Sequence, residues 1–189
     1  MNAGFFFRGL LVLAVFLYPL LVFFGLKVLP PSFFGLVLVV LLALRFGILR
    51  PDERKILLPI LLVFLAYALT ASILGSERFL LFYPVLVNLS LCFLFAWSLR
   101  DEEPLLLRVL RKRGVPMSIY APRYLYCLTI IWSVFFLLNA AIAAWTTTQS
   151  LEVWTIYNGL IAYILVGVLL GSEWLFRIYY KKKKGVHSV

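Results

Sequence analysis

The chain has 189 residues, of which 64% are hydrophobic and only 14% are charged, and it carries a formal net charge of +10. A soluble globular domain is about 45–50% apolar and about 25% charged, so a water-soluble fold of this size would leave apolar surface exposed and would aggregate. The same composition excludes an intrinsically disordered chain, and two cysteines exclude a disulfide scaffold. The sequence therefore predicts an all-α membrane protein.

Apolar stretches long enough to cross a bilayer, about 20 residues in helical form, recur along the chain. Six stretches meet this length, at about 9–28, 32–49, 56–75, 79–98, 124–146 and 151–178. We predict a polytopic bundle of six transmembrane helices that forms a single integral membrane domain over residues 1–189. The second stretch is short and contains Arg45, so a bundle of five helices is the alternative. The first is interpreted as a retained helix, because no A-x-A cleavage site of a signal peptide follows it.

The basic residues are distributed unevenly about the predicted spans. Of the 18 lysines and arginines, fifteen fall on the side of both termini and the loops at 50–55 and 99–123, and only Lys27 and Arg78 fall on the other side. Because cytoplasmic loops carry the excess of Lys and Arg, both termini are predicted to be cytoplasmic. The positive charge is thus a topology signal, and we expect no nucleic-acid partner.

The loop between the fourth and fifth spans contains a segment at about 104–113 with one apolar and one basic helical face. Its apolar face would consist of Leu105, Leu106, Val109 and Leu110. Its basic face, expected to meet lipid or a partner, would consist of Arg108, Arg111, Lys112 and Arg113. A helix in the anionic inner-leaflet interface and a connector whose leucines pack on the bundle are equally supported, and docking of a partner protein is a third interpretation.

Two ionisable residues at membrane depth are functional candidates, because a charge inside a span is costly. They are Arg45 in the second predicted span and Glu173 in the sixth. One hypothesis pairs them with each other. The favoured alternative extends Arg45 to the headgroups and pairs Glu173 with Arg177, one helical turn later.

Neutral polar residues and prolines also fall inside the spans. Asn88, Asn139 and Asn158 lie in the outer halves, and the last two are each about seven residues from the final hairpin. Because Asn139 and Asn158 come out level on adjacent helices, we expect them to form an amide pair, and the alternative is that the three asparagines line a polar cavity. The prolines within spans are expected to kink them, and they are Pro19, Pro59 and Pro84.

The sequence lacks the usual residues of catalytic and metal sites. Its single histidine, His187, is in the C-terminal tail, and Cys92 and Cys127 lie in spans as packing residues. No P-loop, G-x-S-x-G or dinucleotide-binding motif is present. We therefore predict no catalytic residue, no metal site and no cofactor, in a protein that is not an enzyme.

Residues 80–175 carry a recognisable pattern. Pro104-Leu105-Leu106-x-Arg108 precedes a span with Trp132-x-x-Phe135-Phe136-x-x-Asn139-x-x-Ile142-Ala143, and the pattern continues at Trp145, Trp154 and Gly159. It resembles the septation protein A family of bacterial inner-membrane proteins. Tyr83-Pro84-Val85-Leu86-Val87-Asn88 and Trp154-Thr155-x-Tyr157-Asn158-Gly159-Leu160-Ile161-Ala162-Tyr163 are similar to an uncharacterised bacterial branch related to that family. Members of this branch are frequent neighbours of ketosynthase and acyltransferase genes of aryl-polyene or related lipid clusters.

The resemblance implies a multi-pass protein of the bacterial inner membrane that supports envelope synthesis, division or membrane integrity, without established catalytic residues. Relatives usually carry a lysine shortly before the glycine that matches Gly159, and residues 155–158 contain none, so no role of that lysine is carried over. Trp132, Trp154 and Gly159 would pack the last hairpin. We hypothesise a non-enzymatic accessory or scaffold protein with anionic lipids and envelope-synthesis or division proteins as partners, and the alternative is a small lipid or metabolite transporter.

Overall fold

The computed structural model describes residues 23–25, 28–48, 51–112, 114 and 121–184, and these residues are helical with no β-strand. The helices are α1 (Pro31–Ile48), α2 (Pro51–Leu74), α3 (Glu77–Leu81), α4 (Tyr83–Ser98), α5 (Leu105–Lys112), α6 (Ala121–Thr146), α7 (Leu151–Ile156) and α8 (Ala162–Lys184), with a π-helix at Tyr157–Ile161. The all-α prediction is confirmed for this part of the chain.

Three helical stretches in the described residues are long and apolar enough to cross a membrane, namely Phe79–Ser98, Ala121–Thr146 and Leu151–Tyr179. They match the fourth, fifth and sixth predicted spans and indicate a membrane protein. Helix α1 covers the predicted second span, and the apolar part of α2, Ile60–Leu74, is a shorter run. Most of the predicted first span lies outside the described residues, so the six-span count and the orientation stay predictions.

The chain divides into two compact units. The first unit comprises Met1–Leu86 and Ala143–Leu160, and the second comprises Val87–Ile142 and Ile161–Val189. Each unit has its own buried side chains. The single integral domain stays a prediction.

In the first unit, helices α1 and α2 pack closely along small residues. Ala68 and Ala71 of α2 are fully buried, and a Cβ added to Gly35 of α1 would lie 2.6 Å from the backbone nitrogen of Ser72. Small residues at such a crossing let two backbones approach, which strengthens van der Waals packing between membrane helices. Next to this contact, the rings of Phe64 and Tyr83 meet edge to face with centroids 5.9 Å apart.

The first unit also contains a break between two helices. Helix α3 ends at Leu81 and α4 begins at Tyr83, with Phe82 between them. Pro84 explains the break, because proline has no N–H to donate to the carbonyl four residues earlier and its ring clashes with that turn. The position of the predicted kink at Pro84 therefore coincides with a break between two helices. Helix α2 runs without interruption through Pro59, and Pro19 lies outside the described residues.

The second unit is built around an aromatic and leucine core. Trp132 is 8% exposed, and its ring centroid lies 5.4 Å from that of Phe136 and 6.5 Å from that of Phe95. Helix α5 contributes to the same core through its leucines. The buried members of this cluster are Leu107, Ala121, Leu125, Leu128, Trp132 and Phe136.

Candidate functional site

Trp154 stabilises the helix break of the first unit. Its side chain is fully buried, and its indole N–H donates a 2.9 Å hydrogen bond to the carbonyl oxygen of Leu81, the last residue of α3. A backbone carbonyl without a partner costs several kcal/mol in a region without water. Trp154 therefore does more than pack: its indole N–H satisfies a backbone carbonyl at the point where the helix is interrupted.

Asn158 lies on the π-helix, and it stabilises that irregular turn. Its side-chain nitrogen donates to the hydroxyl oxygen of Thr146 at 3.0 Å and to the carbonyl oxygen of Trp154 at 2.9 Å. The Thr146 hydroxyl in turn donates to the carbonyl of Ala143 at 2.7 Å. Gly159 is half-buried in the same π-helix. Single π-turns inside α-helices occur frequently at functional sites, and this one lies on an outer half of a predicted span.

In the second unit, Asn88 and Asn139 form an amide pair. The Asn139 side-chain nitrogen donates to the Asn88 side-chain oxygen at 2.9 Å, and both residues are buried. The sequence predicted that Asn139 would pair with Asn158, but the structure pairs Asn139 with Asn88, and Asn158 bonds to Thr146 and to the Trp154 carbonyl instead. Counting residues from the hairpin gives depth in the bilayer but not the face of the helix, so the sequence did not select this partner.

The carboxylate of Glu173 receives donors from two helices. The Tyr124 hydroxyl donates to it at 2.9 Å and the Arg177 Nε at 3.0 Å. The tyrosine ring also stacks on that of Phe176, with centroids 6.0 Å apart. The favoured pairing of Glu173 with Arg177 is thus the one observed, and the sequence analysis missed Tyr124 as a third member. Arg45 lies on α1, and its side chain is outside the described residues.

Helix α5 is anchored on the core of the second unit. The hydroxyl of Ser98 accepts from the backbone N–H of Leu105 at 3.0 Å and donates to the carbonyl of Phe95 at 2.7 Å, which joins the end of α4 to the start of α5. Leu107 is buried, and Leu106 and Leu110 pack against the same core. The structure therefore agrees with the connector interpretation of this segment.

The predicted apolar face of α5 is wrong at one residue, Val109. Val109 is 38% exposed, whereas Leu107, which was not assigned to that face, is only 4% exposed. The five apolar residues occupy a wide arc of this helix, and the sequence alone does not show which part of that arc faces the core. Val109 consequently lies on the accessible face beside Arg108 and Lys112.

The arginines of α5 are paired with the acidic residues that precede the helix. Arg108 contacts the carboxylate of Asp101 at 2.5 Å and the carbonyl of Glu103 at 3.0 Å, and Arg111 pairs with the Glu103 carboxylate. Residues 101–112 contain three acidic and three basic side chains. Arg100 and Arg113 flank this segment, so the connector keeps an excess of basic residues, and the acidic residues offset only part of the charge of the predicted basic face. Lys112 is exposed, and Arg113 lies outside the described residues.

Comparison with known proteins finds no match for the chain. No protein-family model matches the chain, and neither a curated protein nor a solved structure is similar enough to count as a match. Within the part that the structure describes, no group of three or more His, Cys, Asp or Glu residues is arranged to bind a metal ion.

Proposed function

We propose that this protein is a non-enzymatic accessory or scaffold protein of the bacterial inner membrane that supports envelope synthesis, division or membrane integrity. The observation that carries the proposal is the accessible face of α5, a helix that packs on the core through Leu107 and whose two arginines are paired with preceding carboxylates. The septation protein A resemblance of residues 80–175 points in the same direction.

A fixed helix favours docking because few groups must be ordered when a partner binds. Leu107 is buried in the core, and the Ser98 hydroxyl bonds to the first residue of α5. Immobilising side chains and loops at an interface costs about 0.5–1.5 kcal/mol per rotamer-rich side chain. A helix that is already packed avoids part of this cost.

The charge pattern of α5 favours a protein over an anionic bilayer as its main partner. A basic residue near an anionic membrane surface contributes about 1 kcal/mol to binding, but Asp101 and Glu103 already contact the arginines of α5. Carboxylates beside the arginines repel lipid phosphates and offset that attraction. Neighbouring charges of opposite sign, by contrast, determine which protein surface is complementary and in which register it binds. Anionic inner-leaflet lipids would remain neighbours of the bundle.

We propose the orientation with both termini in the cytoplasm. If the three candidate spans cross in turn, the connector before Ala121 and the residues after Tyr179 lie on one side. Lys181 to Lys184 and the arginines of the connector then share that side, as the excess of basic residues in cytoplasmic loops requires.

The scaffold is preferred to a transporter because the asparagines are engaged in hydrogen bonds between helices. Asn139 of α6 bonds to Asn88 of α4, and Asn158 bonds to Thr146 of α6. A substrate site lined by these groups would require such bonds to open in each transport cycle.

The test is photo-crosslinking in cells with the full chain. A photoreactive amino acid replaces Val109 on the accessible face of α5, and in a matched control it replaces Leu138, which is 60% exposed on the membrane-spanning α6. We expect Val109 to give an adduct with a defined division or envelope-synthesis protein and Leu138 to give lipid adducts. Lipid adducts alone at both positions would contradict the scaffold and support an interfacial helix.

A further inference from the structure

The first unit contains a cavity of about 500 Å³ at the level where its membrane-spanning segments end. Glu77 precedes the span Phe79–Ser98, and the turn 147–149 connects the ends of the other two spans. The cavity therefore has a polar part outside the spans and an apolar part at their first turns. Its lining residues are Glu77, Leu81, Phe82, Thr147, Thr148, Gln149 and Leu151.

The polar lining of this cavity offers acceptors. The hydroxyls of Thr147 and Thr148 donate to carbonyls of the last turn of α6 at 2.7 Å and 2.8 Å, and the amide nitrogen of Gln149 donates to the Thr148 hydroxyl at 2.9 Å. A hydroxyl has one donor hydrogen and two acceptor lone pairs, and a carboxylate has acceptors alone. The lining therefore offers a ligand mainly hydrogen-bond acceptors, namely the oxygen lone pairs of these side chains and the negatively charged carboxylate of Glu77.

The Glu77 carboxylate is available to a cation. Among the described residues, its side chain forms no ion pair and no hydrogen bond. The end of α6 lies at the same cavity, and the carbonyl end of a helix carries a partial negative charge of about half an electron. Glu77 begins α3, but that helix has only five residues, so its dipole offers little compensation for the carboxylate.

We propose that this cavity binds a primary ammonium group, carried either by an aminophospholipid headgroup such as phosphatidylethanolamine or by a free amine. An ammonium group has three N–H donors, which match the carboxylate, hydroxyl and amide oxygens of the lining. The apolar residues Leu81, Phe82 and Leu151 are suited to the adjoining methylene or glycerol carbons. A trimethylammonium group has no N–H donor and is recognised by aromatic cages, whereas Phe82 is the one aromatic residue in this lining.

The experiment uses the purified full chain in a mild detergent, with retained lipid counted by native mass spectrometry. Phosphatidylethanolamine is titrated against phosphatidylcholine of the same acyl chains, and free ethanolamine is added as a competitor. The test variant is Glu77→Gln, which keeps the shape of the side chain. The matched control is Glu152→Gln, because Glu152 is an exposed glutamate in the first turn of α7 that does not line the cavity.

We expect wild-type protein and Glu152→Gln to retain phosphatidylethanolamine in preference to phosphatidylcholine, and Glu77→Gln to lose about tenfold in affinity, as removal of one charge-assisted hydrogen bond does. Displacement by free ethanolamine would assign the site to the ammonium group alone, and retention in its presence would assign it to the lipid. Equal retention of both lipids by the wild type, or no difference between the two glutamine variants, would overturn the proposal. This outcome is separate from the crosslinking test, because the cavity and α5 share no residue.

Discussion

The two units of the molecule differ in the hydrogen bonds of their larger polar side chains, the amides, the indole and the carboxylate. In the first unit, side chains donate to backbone carbonyls at irregular points, as Trp154 does at the α3–α4 break and Asn158 at the π-helix. In the second unit, the amide and carboxylate side chains of regular helices pair with other side chains, as Asn88 does with Asn139 and Glu173 with Arg177. The buried hydroxyls of that unit donate to carbonyls of their own helices, as those of Ser98, Thr129 and Ser133 do. Irregular backbone thus receives a dedicated donor from an indole or an amide, whereas the amides and the carboxylate of the regular helices are paired with other side chains.

The difference has an energetic consequence. Removing a side-chain donor in the first unit leaves a buried carbonyl that cannot itself be removed, and an unsatisfied buried group costs about 1–3 kcal/mol. In the second unit, both members of a pair are side chains, so replacing both by apolar residues leaves neither member of that pair buried without the other. The predictions below test this contrast.

The largest effect is expected for Trp154→Phe. This change removes the indole N–H that bonds to the Leu81 carbonyl, and we expect the free energy of unfolding to fall by about 2–3 kcal/mol. The measurement is unfolding by denaturant in detergent micelles. Trp132→Phe is the matched control, because Trp132 is similarly buried but shows no hydrogen bond among the described residues. Equal losses for the two variants would remove the distinction between the units.

Asn158→Leu is the second variant of the first unit. It leaves the Thr146 hydroxyl and the Trp154 carbonyl without the amide donor, so we expect a loss of about 1–2 kcal/mol in the free energy of unfolding. Hydrogen exchange should rise locally at Tyr157–Ile161, because the π-helix loses its side-chain support. Unchanged exchange in this segment, with the same loss of stability, would show that Asn158 acts by packing and not by stabilising the turn.

The Asn88–Asn139 pair tests the second unit by a double-mutant cycle. We expect each single change to leucine to cost about 1 kcal/mol, because it leaves the other amide buried with fewer partners. The double variant should be more stable than the sum of the two losses predicts, by about 0.5–1.5 kcal/mol. Additive losses in the free energy of unfolding would mean that the two amides are not coupled.

The sequence predicted the spans better than the contacts between them. Length and hydropathy determine a span, and three of the predicted spans coincide with helices of the structure within a few residues. The pairing of Glu173 with Arg177 was also accessible, since it depends only on the period of one helix. Partners on different helices, such as Tyr124 for Glu173 or Asn88 for Asn139, depend on helix rotation, which composition does not determine. The exposure of Val109 was missed because it also depends on which side of a helix faces the core. The π-helix was missed because composition and hydropathy do not show a local change in backbone hydrogen bonding.

The smallest effect on stability is expected at α5, where the combined change Glu103→Arg and Arg111→Glu exchanges the two charges. The pair is partly exposed, with 59% of the Arg111 side chain and 31% of that of Glu103 accessible, and exposed ion pairs contribute about 0–1 kcal/mol. We therefore expect the free energy of unfolding to change by less than about 0.5 kcal/mol. The order of charges that a partner meets is nevertheless reversed, so the protein adduct from position 109 should disappear.

Leu107→Ala supplies the opposite control, because it removes a core contact of α5 while leaving the charges in place. If the exchanged variant keeps its adduct, recognition at α5 depends on its apolar residues and not on its charge pattern.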